Sequence, residues 1–132
     1  MIITVTSIRL RKWWLYFYLT SLAFKITLQL RKQKGFIKMK NTGFGYLHFT
    51  LSVWETEEDL KRFAREGAHL KAMKKSSVLA TEIRTYTYQS DQVPNWKEAK
   101  NLLLEKGKVL TFKYALSTIL IQQPAHGLLK FL

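Results

Sequence analysis

The segment Arg11–Lys32, RKWWLYFYLTSLAFKITLQLRK, is the strongest constraint in the chain, because it is too apolar for an ordinary surface helix and too short and charged for a comfortable membrane span. Its apolar stretch runs 18 residues from Trp13 to Leu30 with Lys25 inside it, near the lower limit for crossing a bilayer. As a secretion signal it fits poorly, since the strand-like run IITVTSIRL precedes it and no small-residue cleavage site follows. At 100° per residue, Leu15, Leu19, Leu22, Ile26 and Leu30 form one stripe, and Phe17, Phe24 and Leu28 a second, roughly opposite. One stripe serves a core. The other needs a partner subunit, another part of the chain, or lipid.

The remaining elements follow from period and punctuation. Ile2–Leu10 alternates and is β-branched, which predicts a strand. The helix runs from about Trp13 to Lys34 and stops at Gly35; FIKMK is a second strand, and NTGFG (Asn41 to Gly45) a hairpin connection. In Tyr46–Trp54, Leu47, Phe49, Leu51 and Val53 share one face, and Tyr46, His48, Thr50, Ser52 and Trp54 the other. Thr56 and Asp59 make a capping-box-like start to a helix that reaches about Glu66, breaks at Gly67 and resumes as AHLKAMKKS. Ala80–Tyr88 is a fourth strand, Asn95–Lys106 a further helix, and KVLTF a short edge strand.

This order is α+β, the ferredoxin-like β-α-β-β-α-β pattern with an antiparallel sheet, followed by a C-terminal helix and tail. One domain is expected over 1–112, with an apolar tail at 113–132 that has no partner element in this layout. Both main helices are expected on one sheet face. The other face, left bare, would carry His48, Thr50, Ser52, Arg84, Tyr86 and Tyr88 around a partly wet cavity. A bare face of this kind implies a homodimer or a ligand surface.

Charge and composition exclude several chemistries. Without cysteine there is no disulfide, thiolate nucleophile or cysteine metal site, which fits a reducing, cytoplasmic setting. His48, His69 and His126 lack paired-ligand spacing, so no metal site is expected. The net charge is +13, and residues 1–54 hold nine Lys or Arg and no Asp or Glu. Such a surface attracts phosphate backbones, acidic lipid headgroups or anionic substrates, and equally serves solubility. No nucleophile–base–acid set is present, and the turns TGFG and REGA match no phosphate-loop spacing.

The passage Leu51–Ser76, with its pattern W-E-x-x-x-x-L-x-x-F-x-x-x-G-A-H, resembles the dimeric α/β-barrel superfamily, which includes antibiotic-biosynthesis monooxygenases. Within that group it is similar to spheroidene-monooxygenase-like and related uncharacterised domains, over roughly Ile2 to Tyr88. The resemblance implies a two-subunit barrel and a hydrophobic or aromatic small-molecule substrate. Haem-degrading members carry a second Trp nine positions after the first and a haem-binding His ten beyond that; here those positions are Phe63 and Met73. Their first-strand Asn is also missing, with Thr6 and Ser7 in that region, so a haem-degrading type is not expected.

Cofactor-free, quinone-forming members use polar and aromatic cavity groups, a part that His48, Trp54 and Tyr86 would play here. The spheroidene-type likeness would instead imply haem, with His69 the axial ligand on offer. The candidate site is therefore His48 and Tyr86 as catalytic groups, with Trp54, His69 and Arg84 binding ligand. Four of the five have a structural counterpart: His48 as an interface histidine, Trp54 as a core tryptophan, His69 as a surface or capping histidine, and Arg84 in a pair with Glu82 or a partner subunit.

Three functions compete: a monooxygenase-like enzyme that uses oxygen without a metal by shielding an electron-rich anion from water, a non-catalytic ligand-binding or assembly module, and a binder of nucleic acid or acidic membrane. GFGYLHFTL approaches but does not match the RNA-stacking strand pattern. Trp13, Trp14, Phe17 and Phe24 are placed for peripheral membrane contact under any of these.

Overall fold

The computed structural model describes residues 1–112; the 113–132 tail lies outside the described residues. Its elements are β1 (Ile2–Leu10), α1 (Leu15–Leu30), β2 (Phe36–Phe44), β3 (Leu47–Trp54), α2 (Glu57–Ala64), α3 (Gly67–Lys74), α4 (Ser76–Leu79), β4 (Ala80–Gln89), α5 (Trp96–Lys106) and β5 (Lys108–Thr111). The five strands form one antiparallel sheet in the order β2-β3-β1-β4-β5. The first four strands have the ferredoxin-like order expected, and β5 extends the β4 edge.

Register fixes which residues share a face, because directly opposed residues in an antiparallel pair point the same way. Ile3 opposes Val53 and Tyr88, and Val5 opposes Leu51 and Tyr86. On that face Ile3, Val5, Leu51 and Val53 are fully buried against Ala99 and Leu103 of α5. The helix starts from a reciprocal cap: the Glu98 N–H donates to Asn95 Oδ1 (2.8 Å) and the Asn95 N–H to Glu98 Oε2 (3.3 Å).

The opposite face meets α1, α2 and α3 through two separate apolar clusters. At one end Leu15 and Leu22 pack with Leu10, Ile8 and Ile83. At the other, Leu30 and Phe63 pack with Trp54, Ile2 and Phe36. The first stripe of α1 thus supplies the core. The second is open to solvent, with Phe17 69%, Phe24 65% and Leu28 44% exposed. At 16 residues α1 is about 24 Å long, and no described helix is long and apolar enough to cross a membrane.

Two expectations are corrected here. The face away from α1 is not bare, since α5 lies on it. His48, Thr50 and Ser52 do not share a face with Arg84, Tyr86 and Tyr88. The first three oppose Ile8, Thr6 and Thr4 on the α1 side, while Arg84, Tyr86 and Tyr88 oppose Ser7, Val5 and Ile3 on the α5 side. The most apolar stripe of β3 was claimed by the late helix α5 rather than by α1.

Polar side chains set the connections. Gln29 of α1 donates through Nε2 to the Phe63 and Glu66 carbonyls (3.2 and 2.9 Å) and accepts the His69 N–H on Oε1 (2.9 Å). One side chain thereby ties the end of α2 to the start of α3, where the His69 N–H is among the first donors of the helix, which have no intrahelical acceptor. Gly67 turns the chain between them at φ +58°. Gly35, after α1, has φ +80°, and a Cβ there would run into the Asp59 carboxylate. Gly35→Ala is therefore expected to cost upwards of about 1–2 kcal/mol from the left-handed backbone alone, read as a lower urea midpoint with an unchanged slope.

Candidate functional site

Three central strands each carry two aliphatic hydroxyl residues separated by one residue that faces the other way: Thr4-Val5-Thr6, Thr50-Leu51-Ser52 and Thr85-Tyr86-Thr87. Alternation places each pair on one face, and register aligns the pairs. Thr6 opposes both Thr50 and Thr85, and Thr4 opposes both Ser52 and Thr87. The result is two rows of three hydroxyls at the middle of the sheet, on the face that α1 covers and between its two apolar clusters.

Interior threonine is a costly choice where valine has almost the same shape, so the hydroxyls need partners. Thr4 and Thr87 are hydrogen-bonded at 2.9 Å, Thr6 and Thr85 at 3.2 Å. Thr50 donates to Asn41 Oδ1 (2.9 Å), and Ser52 accepts the Trp54 indole N–H (3.0 Å). A hydroxyl offers one donor and two lone pairs, so each Thr–Thr pair satisfies its burial and still has a donor and lone pairs to spare. Thr85 and Thr4 are nonetheless almost fully buried. The sequence signal was the repeated T-x-T/S spacing in three strands, which reads at first as ordinary strand composition.

The rows that flank this array hold two of the expected site residues. His48, in the row with Ile8 and Ile83, stacks on Tyr16 of α1 at a ring distance of 5.4 Å. Its Nε2 lies 2.8 Å from the Gly45 carbonyl oxygen. A carbonyl only accepts, so Nε2 carries the proton and Nδ1 is the basic nitrogen of the neutral ring. Trp54, in the opposite flanking row, is fully buried between Phe36 and Phe63 (5.5 and 5.1 Å). Its polar edge is committed to Ser52.

Arg84 and Tyr86 lie through the sheet from this array. Arg84 Nε donates to Glu82 Oε1 at 2.8 Å, the structural pairing foreseen for it. Tyr86 stacks on Tyr88 at 5.3 Å beside the α5 core. Burial, followed by the neighbouring Tyr86 phenol and Glu98 carboxylate, pushes the Tyr88 phenol up from 10.0, so it stays a proton donor at neutral pH.

The two faces meet at the β4 edge. β5 pairs with β4 only over Glu82–Thr85, so the β4 edge beyond it opens into a cleft of about 430 Å³. Thr85 and Thr87 line it from the array side, joined by Tyr86, Tyr88, Lys106 and Lys108. The cleft thus joins part of the hydroxyl array to two phenols, two cations and the Glu57 carboxylate.

His69 stands apart, at the start of α3. Its ring packs on Phe63 at 4.8 Å, and its Nδ1–H donates to the Ala64 carbonyl (3.1 Å). The ring is thus packed on Phe63, which itself supports Trp54. Burial holds the His69 imidazole below its ordinary 6.5, against a smaller upward pull from the Ala64 hydrogen bond. The unfolded chain therefore takes the proton first as pH falls. The stability tied to neutral His69 is complete above pH 6.5 and is lost as pH drops through and below that value. Urea unfolding is expected to weaken by at most about 1.4 kcal/mol per pH unit in that window, and His69→Phe to flatten the dependence.

Among the described residues no group of three or more His, Asp or Glu is placed to hold a metal ion. The architecture is the ferredoxin-like α+β fold of the antibiotic-biosynthesis-monooxygenase-like proteins. SnoaB, a cofactor-independent oxygenase from Streptomyces nogalater, superposes with a TM-score of 0.59 at 13% identity, over 70% of this chain and 94% of its own. A protein from Nitrosomonas europaea, provisionally named an antibiotic biosynthesis monooxygenase, gives 0.62 at 10% identity, over 70% and 100%. A conserved protein from Methanosarcina mazei Go1 gives 0.62 at 16%, over 68% and 92%. At these identities the likeness establishes the fold alone. No protein-family model matches the chain, and no curated protein sequence matches it.

Proposed function

We propose that the chain is a monooxygenase-like protein that binds a small oxygenated aromatic molecule at the hydroxyl array, entering by the β4 cleft. The observation that carries this reading is the register of six hydroxyls on a helix-covered face. Hydroxyls of this kind hydrogen-bond to phenol or carbonyl oxygens, while the apolar clusters at both ends favour a ring system. SnoaB, which shares the fold, is a cofactor-independent oxygenase, and that supports an oxidation in which substrate itself supplies the electrons. In such a reaction dioxygen delivers one oxygen atom to a substrate CH₂, which becomes a carbonyl, and the other leaves as water with the two hydrogens.

His48 is the proposed base, since its Nδ1 is the basic nitrogen and its ring lies on the array face. Lys106 and Lys108 would steady a phenolate at the cleft. Tyr86 reaches substrate only from the cleft side, and Trp54 acts as a wall through Ser52. A homodimer belongs to the same proposal. The test is dioxygen uptake with a panel of anthrones and hydroxynaphthalenes, alongside native mass spectrometry of protein purified from cells. Uptake with one water formed per carbonyl is expected. Tight binding of these compounds without uptake would leave a ligand-binding module, and neither binding nor uptake would sink the proposal.

A further inference from the structure

Outside this site, the least explained feature is the outer surface of α1. Trp13 and Trp14, in the turn before the helix, are 60% and 53% exposed, and Phe17 and Phe24 are 69% and 65% exposed. Leu28 continues the same stripe. The tip of the β2–β3 hairpin adjoins the start of this surface, since the Leu10 N–H donates to the Tyr46 carbonyl (2.7 Å) and His48 stacks on Tyr16. Tyr46 is itself half exposed. Exposing so many large rings at one place is unfavourable in water unless something covers them.

The charge around them has one sign. Residues 1–54 contribute nine cations and no acid. Lys12 and Lys25 are exposed within the aromatic stretch, and Arg31, Lys32 and Lys34 are exposed just past the C-terminal end of α1. Arg11, by contrast, turns inward and donates to the Ser77, Ala80 and Phe112 carbonyls.

We infer that the outer face of α1 docks on an anionic lipid surface, with Trp13, Trp14, Phe17 and Phe24 in the headgroup–acyl boundary and the flanking lysines and arginines on the headgroups. Tryptophan suits that boundary because its ring is apolar and its N–H polar. The basic ends match an acidic leaflet. A nucleic acid would satisfy the same cations, but it has no acyl phase to receive Phe24 and Leu28. α1 packs on the sheet through its opposite stripe, so docking leaves the hydroxyl array and the β4 cleft unblocked and does not depend on the proposed oxidation.

The test is co-sedimentation of the full chain with phosphatidylcholine vesicles, with and without about 30 mol% phosphatidylglycerol. Binding to the anionic vesicles alone, weakened by salt, is expected. Phe17→Ser with Phe24→Ser should lower that binding at least about tenfold with the melting temperature held, since both rings are already in solvent. On the unaltered protein, lipids brominated on the acyl chain should quench the exposed tryptophans. No binding to anionic vesicles overturns the inference, as does binding that the double variant retains, which would be adsorption by charge alone. Absence of bromine quenching also overturns it. If vesicles fail and the double variant instead breaks a dimer or exposes residues 113–132 to protease, the face belongs to a second copy or to the chain's own tail.

Discussion

Trp54→Ala is expected to remove about 3–5 kcal/mol of stability, a large share of the roughly 5–15 kcal/mol available to a domain of this size. The indole is fully buried and joins three elements: β3, on which it sits, α1 through Leu30, and α2 through Phe63. Deleting it leaves a cavity walled by Phe36 and Phe63, which cannot collapse while α1 is held at its other end by Leu15 and Leu22. Trp54→Phe should cost less, because one ring is kept and the loss is confined to the rest of the indole's packing and its N–H to Ser52. Urea unfolding of the two variants checks this. If both lose the same amount, the hydrogen bond to Ser52 outweighs the packing.

The second large effect concerns ligand rather than stability. Valine at Thr4, Thr6, Thr85 and Thr87 together is expected to lower affinity or turnover for the phenolic probes by about 30–100-fold. That corresponds to two or three hydrogen bonds to ligand at about 1 kcal/mol each. Stability should change by no more than about 1 kcal/mol, since replacing both partners of a hydroxyl pair with groups of like shape is nearly neutral. The pairing itself makes a sign prediction. Thr4→Val alone strands the Thr87 hydroxyl, 2.9 Å away, and should destabilise more than Thr4→Val with Thr87→Val. A quadruple variant that binds the probes as the parent does would remove the array from the functional account.

Much of the architecture was legible in one sequence. The strand at Ile2–Leu10, the helix break at Gly67, the Thr56–Asp59 cap and the buried stripe of α1 rest on local rules, and each is present. The Thr56 hydroxyl accepts the Asp59 N–H at 3.1 Å, as a cap at that position should. Residue parity in β3 was equally readable, because a period of two depends only on the pleat. What parity does not say is which face meets which helix.

That choice needed the tertiary structure. Both faces of this sheet are covered, one by α1 with α2 and α3, the other at least partly by α5. An apolar stripe such as Leu51 and Val53 fits either. The long-range packing of Ala99 and Leu103 decided it, and with it turned Thr50, Ser52 and His48 toward α1 and Tyr86 away. The hydroxyl array was hidden for the same reason. Each T-x-T/S is unremarkable in its own strand, and only register across β3, β1 and β4 brings the six together. Local chemistry writes the elements and the residues that share a side; the sign of each side is a sum over distant contacts, which no local window contains.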